Sequence, residues 1–184
     1  MIDEDILGQE ALGVARQSIA SYFDKMIDKA GYSHPRFEEA GACFVTLTIH
    51  DELRGCMGNL EAYRPLADDI KANARMAAFH DPRFPPLTLN EWKNVRIEVS
   101  LIGQIEAMKF SSQEEALAQM RPGVDGLILT WKDRRATFLP QVWEMLPDAS
   151  MFLNELKAKA RLSAAFWDQS IRLERYQVQQ WKEK

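Results

Sequence analysis

The sequence lacks the features that mark several large classes of protein. Cysteine is scarce: Cys43 and Cys56 are the only two among 184 residues, and neither belongs to a CxxC or Cys/His cluster. A structural zinc site is therefore not expected. A single disulfide between the two across a hairpin is conceivable, but nothing in the sequence points to an oxidising compartment.

Long apolar runs are also missing. No stretch approaches the length of a membrane span, and the first five residues are acidic and run into an amphipathic pattern instead of a signal segment. The sequence contains no glycine-rich phosphate loop and no GxGxxG dinucleotide fingerprint. We therefore expect a cytoplasmic protein with no membrane association, and no cofactor is indicated.

The charge balance gives little support for nucleic acid as a partner. The net charge is −4, whereas nucleic-acid binders usually present a basic face because phosphate neutralisation supplies much of their affinity. The basic residues are dispersed. Two small local groups, which we interpret as solvated faces, are Lys132, Arg134 and Arg135, and Lys157, Lys159 and Arg161.

Apolar periodicity predicts an alternation of helices and strands. Three- and four-residue steps predict one helix from Asp3 to about Ala30, ended by Gly31. Period-two alternation predicts a hairpin of strands over residues 41–49 and 53–60, with Cys43 facing the core. Further capping and alternation signals predict, in order, a helix from Pro65, a short helix capped by Thr88 and Glu91, a strand over 95–102, a short helix from Ser112, a hairpin over 127–139, and helices from Pro140 and from Asp148 or Ser150. The tail over 171–181 is predicted to be extended, and a shift in the parity of its apolar residues indicates a bulge or bend.

These elements define a fold class. Helices and strands are intermixed, and the strands alternate between apolar and polar residues instead of running uniformly apolar. An α+β fold with a mixed or mostly antiparallel sheet flanked by helices fits best. The length suits one domain.

The most informative run is Leu53-Arg54-Gly55-Cys56-Met57-Gly58. Glycine has no Cβ, so backbone or ligand can come close on both sides of the thiol. In an extended strand Arg54 and Cys56 point to the same face, where a guanidinium favours the thiolate. The alternative is that Cys56 is a small buried apolar residue.

A second candidate segment is the loop Asp81-Pro82-Arg83-Phe84-Pro85-Pro86, which three prolines stiffen. Asp81 and Arg83 could face a cleft, or they could form a structural salt link at a turn. Among the histidines, His50 draws interest because its partner strand carries Cys56. A Cys–His dyad needs hydrogen-bond contact, and the spacing identifies no third orienting group, so we do not predict one.

Five motifs occur in order along the chain and together resemble a known family. They are Leu53–Gly58, Asp81–Leu87, Ile97-Glu98-Val99-Ser100, Gly123-Val124-Asp125-Gly126-Leu127 and Thr137-Phe138-Leu139-Pro140-Gln141-Val142-Trp143. The chain is similar, over nearly its whole length, to the AMMECR family, named for the AMME-syndrome candidate region and also called protein A of the AmmeMemoRadiSam system. Two departures are Met57, where the family commonly has isoleucine, and Ala160-Arg161-Leu162, where it typically has Ala-Gly-Leu.

The resemblance implies a single AMMECR-type domain over residues 1–184, with a smaller lobe inserted around 60–95 and a cleft between two lobes. It implies no agreed reaction, but association with a Memo-type protein and a radical S-adenosylmethionine protein. The residues expected to line the cleft are Arg54, Gly55, Gly58, Glu61, Asp81 and Arg83, with Cys56 as the candidate catalytic residue.

Three functions follow from these observations. The first is a module that binds the Memo-type or radical S-adenosylmethionine protein through the LRGCMG run. The second is a cysteine-dependent enzyme that acts on a small anionic substrate held by Arg54 and Arg83. The third, nucleic-acid binding, ranks well behind because the sequence has no basic stripe.

Overall fold

The computed structural model describes residues 2–24 and 31–184, and these form two compact units. The first contains the chain up to Ile102 together with Gln179–Lys184, and the second contains Gly103–Val178. The α-helices are α1 (Ile2–Phe23), α2 (Leu66–Phe79), α3 (Leu89–Trp92), α4 (Gln113–Gln119) and α5 (Ala149–Lys159). The strands are β1 (Cys43–Ile49), β2 (Glu52–Gly58), β3 (Val95–Ile102), β4 (Glu106–Ala107), β5 (Gly126–Trp131), β6 (Arg134–Phe138), β7 (Arg172–Tyr176) and β8 (Val178–Lys182). Short 3-10 helices cover Pro35–Phe37 and Pro140–Glu144.

The first unit is a four-stranded sheet covered by α1 and α2. Its strand order is β2-β1-β3-β8, and β1 is antiparallel to both β2 and β3. The predicted alternation of β1 is confirmed, because Cys43, Val45 and Leu47 are fully buried under the helices. The alanines of α2 let it approach the sheet closely, and Ala74 and Ala77 are buried in the same core.

The first helix is shorter than its apolar stripe predicts. Ala11, Ala15 and Ile19 are buried as expected, but α1 ends at Phe23 and Asp24 is not helical. The part of the predicted helix over residues 25–30 lies outside the described residues.

The second unit contains a four-stranded sheet in the order β4-β7-β5-β6, again antiparallel. Its core is built from Leu127 and Leu129 of β5 and from Phe152, Leu153 and Leu156 of α5. Asp148 caps α5 by accepting a hydrogen bond from the Met151 N–H. The shift in parity predicted for the tail corresponds to a break at Gln177, where β7 of the second sheet ends and β8 of the first sheet begins.

The fold is therefore α+β, as predicted, with two antiparallel sheets and five α-helices among the described residues. None of the helices in the part of the chain that the structure describes is both long and apolar enough to cross a membrane.

Candidate functional site

The exposed edge of β2 carries the candidate site. β2 is the first strand of its sheet, so one of its edges has no neighbouring strand. At Cys56 two side chains take the place of that strand. The Cys56 N–H donates to Asp81 Oδ2 at 2.9 Å, and the Cys56 carbonyl accepts from Arg83 Nη2 at 3.3 Å. The N–H and carbonyl groups of Cys56, which could otherwise pair with a strand of another molecule, are thus hydrogen-bonded to side chains of the same chain.

Asp81 and Arg83 reach this edge as one preorganised pair. Arg83 donates from Nε to Asp81 Oδ1 at 2.9 Å and from Nη2 to Oδ2 at 2.6 Å, which is the bidentate geometry that makes arginine–carboxylate pairs strong. The Asp81 side chain is buried, whereas 53% of the Arg83 side chain is exposed. The hydrogen bonds from Arg83 and from the backbone hold the pKa of Asp81 well below its ordinary value. The structural salt link considered above is therefore present, and it is anchored on the strand that carries Cys56.

Arg54 occupies a neighbouring buried position. Its Nε donates to Glu91 Oε1 at 2.8 Å, and its Nη2 donates to the Pro85 carbonyl at 2.9 Å. Glu91 also completes the predicted capping box of α3 through Thr88. The hydrogen bonds from Arg54 and Thr88 lower the pKa of Glu91 to about 2.

Phe84 connects the two arginines. Its ring centroid lies 5.7 Å from the Arg54 guanidinium carbon and 5.5 Å from that of Arg83, within the range of a cation–π contact. We refer to Arg54, Cys56, Asp81, Arg83, Phe84 and Glu91 as the β2-edge site. Four of these six come from the loop over residues 81–86 and from α3, so one short segment assembles most of the site against β2.

The environment of the thiol differs from the one that the sequence predicts. Between Leu47 and Thr48 the register of β1 and β2 shifts by one residue, leaving Arg54 in a bulge. The prediction that the side chains of Arg54 and Cys56 share a face assumed strict alternation along β2, and the bulge interrupts this alternation. The arginine that acts on the thiol is Arg83. Burial raises the pKa of Cys56, and the Thr46 hydroxyl, 3.3 Å from Sγ, and Arg83 offset this only partly.

The two glycines of the run make room for the protein's own atoms. A Cβ on Gly55 would lie 2.2 Å from the Ala77 carbonyl oxygen of α2, and a Cβ on Gly58 would lie 2.4 Å from the Cys43 carbonyl oxygen. The absence of a Cβ at these two glycines therefore lets other parts of the backbone approach β2 closely.

Other predicted residues lie apart from the β2-edge site. Glu61 is exposed in the loop that follows β2. His50 lies in the β1–β2 turn with a positive φ. The β1 residue opposite Cys56 is Thr46, not His50. Cys43 shares the buried face of β1 with Val45 and Leu47, whereas Cys56 pairs with Thr46 and lies on the opposite face of the sheet. Both thiols are free. That Cys56 is catalytic and that a binding cleft is lined by Arg54, Gly55, Gly58, Glu61, Asp81 and Arg83 stays a prediction.

Sequence reasoning missed one buried carboxyl group of the first unit. Asp69 is fully buried and accepts hydrogen bonds from the Cys43 N–H, Arg64 and the amides of Asn59 and Asn73. The sequence indicates only that Asp69 lies in the first turn of α2, where acidic residues are common. Its i,i+4 spacing from Asn73 is the one available signal. Among the described residues, no cluster of three or more histidine, cysteine or acidic side chains could hold a metal ion.

The sequence as a whole matches a known family. A family model described as AMMECR1 matches residues 12–181, and the chain belongs to this family.

Relatives and a solved structure agree with this assignment. The chain is 35% identical over 181 residues to Protein MJ0810 of Methanocaldococcus jannaschii, a match that covers 96% of this chain and 90% of that protein. It is 36% identical over 184 residues to Protein SSO0193 of Saccharolobus solfataricus, covering 95% and 80%. It is also similar to the crystal structure of an uncharacterized protein, PH0010, from Pyrococcus horikoshii, with a TM-score of 0.87, 28% identity, and 96% and 91% of the two chains covered.

Proposed function

We propose that this AMMECR1-family chain is a binding module and that the β2-edge site is its recognition surface. The partner we favour is one of the two that the family resemblance implies, a Memo-type protein or a radical S-adenosylmethionine protein. The observation that carries the proposal is the anchoring of Asp81 and Arg83 on the backbone of Cys56.

This anchoring prepares Arg83 for binding. Its Nε and Nη2 are committed to Asp81 and Cys56, while its Nη1 makes no hydrogen bond to any residue in the described ranges 2–24 and 31–184. A partly exposed guanidinium whose orientation is already fixed loses little conformational freedom on binding. Arginine is also enriched among the residues that dominate interface energetics. The partner group that would accept a hydrogen bond from Arg83 Nη1 is a carboxylate.

The surroundings of Cys56 favour binding over thiolate chemistry. A nucleophilic cysteine usually has a lowered pKa, whereas burial raises the pKa of Cys56. The thiol is hydrogen-bonded to Thr46 and half-buried, so in this proposal it contributes shape at the surface next to Arg83.

The proposal is tested by titrating each of the two candidate partners into the purified chain and into Arg83→Gln. Calorimetry measures the affinity. We expect Arg83→Gln to weaken association with one partner by about tenfold or more, the size expected when a hydrogen bond to a charged group is lost. Serine has nearly the same side-chain volume as cysteine, so Cys56→Ser should leave the affinity for the partner within about threefold of wild type.

Arg36→Gln is the matched control. Like Arg83, Arg36 pairs with a nearby carboxylate, that of Glu39, and donates to a backbone carbonyl, that of Ala40. It lies outside the β2-edge site, so its substitution should leave the affinity unchanged. Equal affinity of wild type and Arg83→Gln for both partners, or no association with either, overturns the proposal.

A further inference from the structure

The second sheet carries a row of polar side chains across three adjacent strands. Thr130 of β5 lies opposite Arg135 of β6 on one side and opposite Arg172 of β7 on the other. Residues that pair across a sheet lie on the same face. Neighbouring strands are about 4.8 Å apart, so the two arginines flank Thr130 at about 10 Å between their Cα atoms. Two long guanidinium side chains at this spacing can converge on one anion above the threonine hydroxyl.

This row forms one wall of a groove of about 730 Å³ within the second unit, a volume typical of small-molecule sites. Its charged lining residues are Lys109, Arg135 and Arg172, against one carboxylate, that of Glu174. The groove is therefore positive in a chain whose net charge is −4. A concave surface lined by one sign of charge concentrates ligands of the opposite sign.

The remaining lining residues give the groove an apolar part. Met108 and Phe110 lie beside the basic row, and both are half-exposed. A ligand that satisfies both parts has a compact dianionic group and an apolar body. Arginine prefers phosphate and carboxylate oxygens, which its planar fork contacts in a bidentate manner.

We propose that this groove of the second unit binds a phosphate monoester with an apolar or aromatic substituent. The phosphate lies between Arg135 and Arg172 and accepts a hydrogen bond from the Thr130 hydroxyl. The substituent lies against Met108 and Phe110. The site shares no residue with the β2-edge site, because all its residues belong to the second unit.

The proposal is tested by nuclear magnetic resonance titration of the ¹⁵N-labelled chain with phenyl phosphate and, separately, with inorganic phosphate. The titrations are run at low ionic strength, where interactions between exposed charges are least screened. We expect the amides of Lys109, Thr130 and Arg172 to shift on addition of phenyl phosphate. Inorganic phosphate should bind more weakly, because it makes no apolar contact with Phe110.

The double variant R135Q/R172Q should bind phenyl phosphate at least about tenfold more weakly, since each charge-assisted hydrogen bond contributes roughly a factor of ten or more. Its spectrum reports directly whether the fold is intact. The matched control R96Q/K182Q removes the same charge from two strand residues of the first sheet and should bind like wild type. Absence of shifts at the groove, or equal affinities of wild type and a folded R135Q/R172Q, overturns the proposal. Equal binding of the two phosphates overturns the apolar half of the site.

Discussion

The carboxylate of Asp81 accepts the backbone N–H of Cys56 at 2.9 Å and so serves as the neighbour that the edge strand β2 lacks. The same carboxylate orients Arg83, which donates to the carbonyl of Cys56. One buried acid thus organises both the strand edge and the exposed guanidinium beside it.

Asp81→Asn should destabilise the protein. The amide retains one acceptor oxygen but cannot accept from Cys56 and from both nitrogens of Arg83, so buried donors lose their partners. We expect a loss of about 1–3 kcal/mol in the free energy of unfolding, measured by urea denaturation. The matched control is Asp51→Asn, because Asp51 is exposed and forms surface ion pairs with Arg96 and Lys182. Its effect should stay within about 0.5 kcal/mol, and equal effects of the two substitutions would contradict the anchoring role of Asp81.

Acid should destabilise the first unit through two carboxyl groups. The pKa of Glu91 is about 2 in the folded chain against an ordinary 4.5, and the pKa of Asp81 is also lowered. The unfolded chain therefore binds more protons in this range, so stability falls as the pH drops from about 4.5 towards 2. Unfolding free energies measured across this window should fall less steeply for Asp81→Asn than for wild type. Parallel profiles would show that Asp81 has no lowered pKa.

Cys56 should react as a poorly activated thiol. Because burial raises its pKa, the rate of alkylation by iodoacetamide should rise with a midpoint above about 8.5, the value of a free thiol. Arg83→Gln should move the midpoint higher still, because the cation that favours the thiolate is lost while Asp81 remains. Cys43 is fully buried and should stay unmodified in the folded chain, as peptide mapping will show. A midpoint below about 8.5 would contradict a raised pKa for Cys56 and would favour the cysteine-dependent enzyme over the binding module.

Gly55→Ala should be strongly unfavourable. Its Cβ would lie 2.2 Å from the Ala77 carbonyl oxygen, so α2 has to move away from the sheet. We expect a loss of about 3 kcal/mol in thermal or urea unfolding, at the upper end for overpacked sites. Gly13→Ala in α1 is the control, because nothing lies within 4 Å of the added Cβ. It should stabilise the helix by about 0.5–1 kcal/mol, and a similar sign for both substitutions would contradict the close packing at Gly55.

The sequence predicts the fold better than it predicts the site. Alternation along β1 and the capping signals at Thr88 and Asp148 are local properties, so they could be interpreted without knowing the tertiary structure. The division into two sheets could not, because it depends on which strands pair. The break at Gln177 was visible only as a shift in parity.

The site shows the same limit on a smaller scale. Cys56, Asp81 and Arg83 were identifiable as unusual residues in rigid segments, but their hydrogen bonds join positions far apart in the sequence. Arg54 lies in a bulge and pairs with Glu91, and the arginine that acts on the thiol is Arg83. A one-residue shift in register carries no periodic signal that would reveal it in advance.

The placement of β8 has a consequence for the order in which the molecule can be built. β8 lies beside β3 in the first sheet, and Glu183 just after it pairs with Arg16 of α1, yet the whole second unit intervenes in the sequence. During synthesis, the outer edge of β3 therefore remains open until the second unit has been made. Unpaired edges of this kind favour aggregation of incomplete chains. The first unit is thus the earlier of the two to leave the ribosome and the later to be completed.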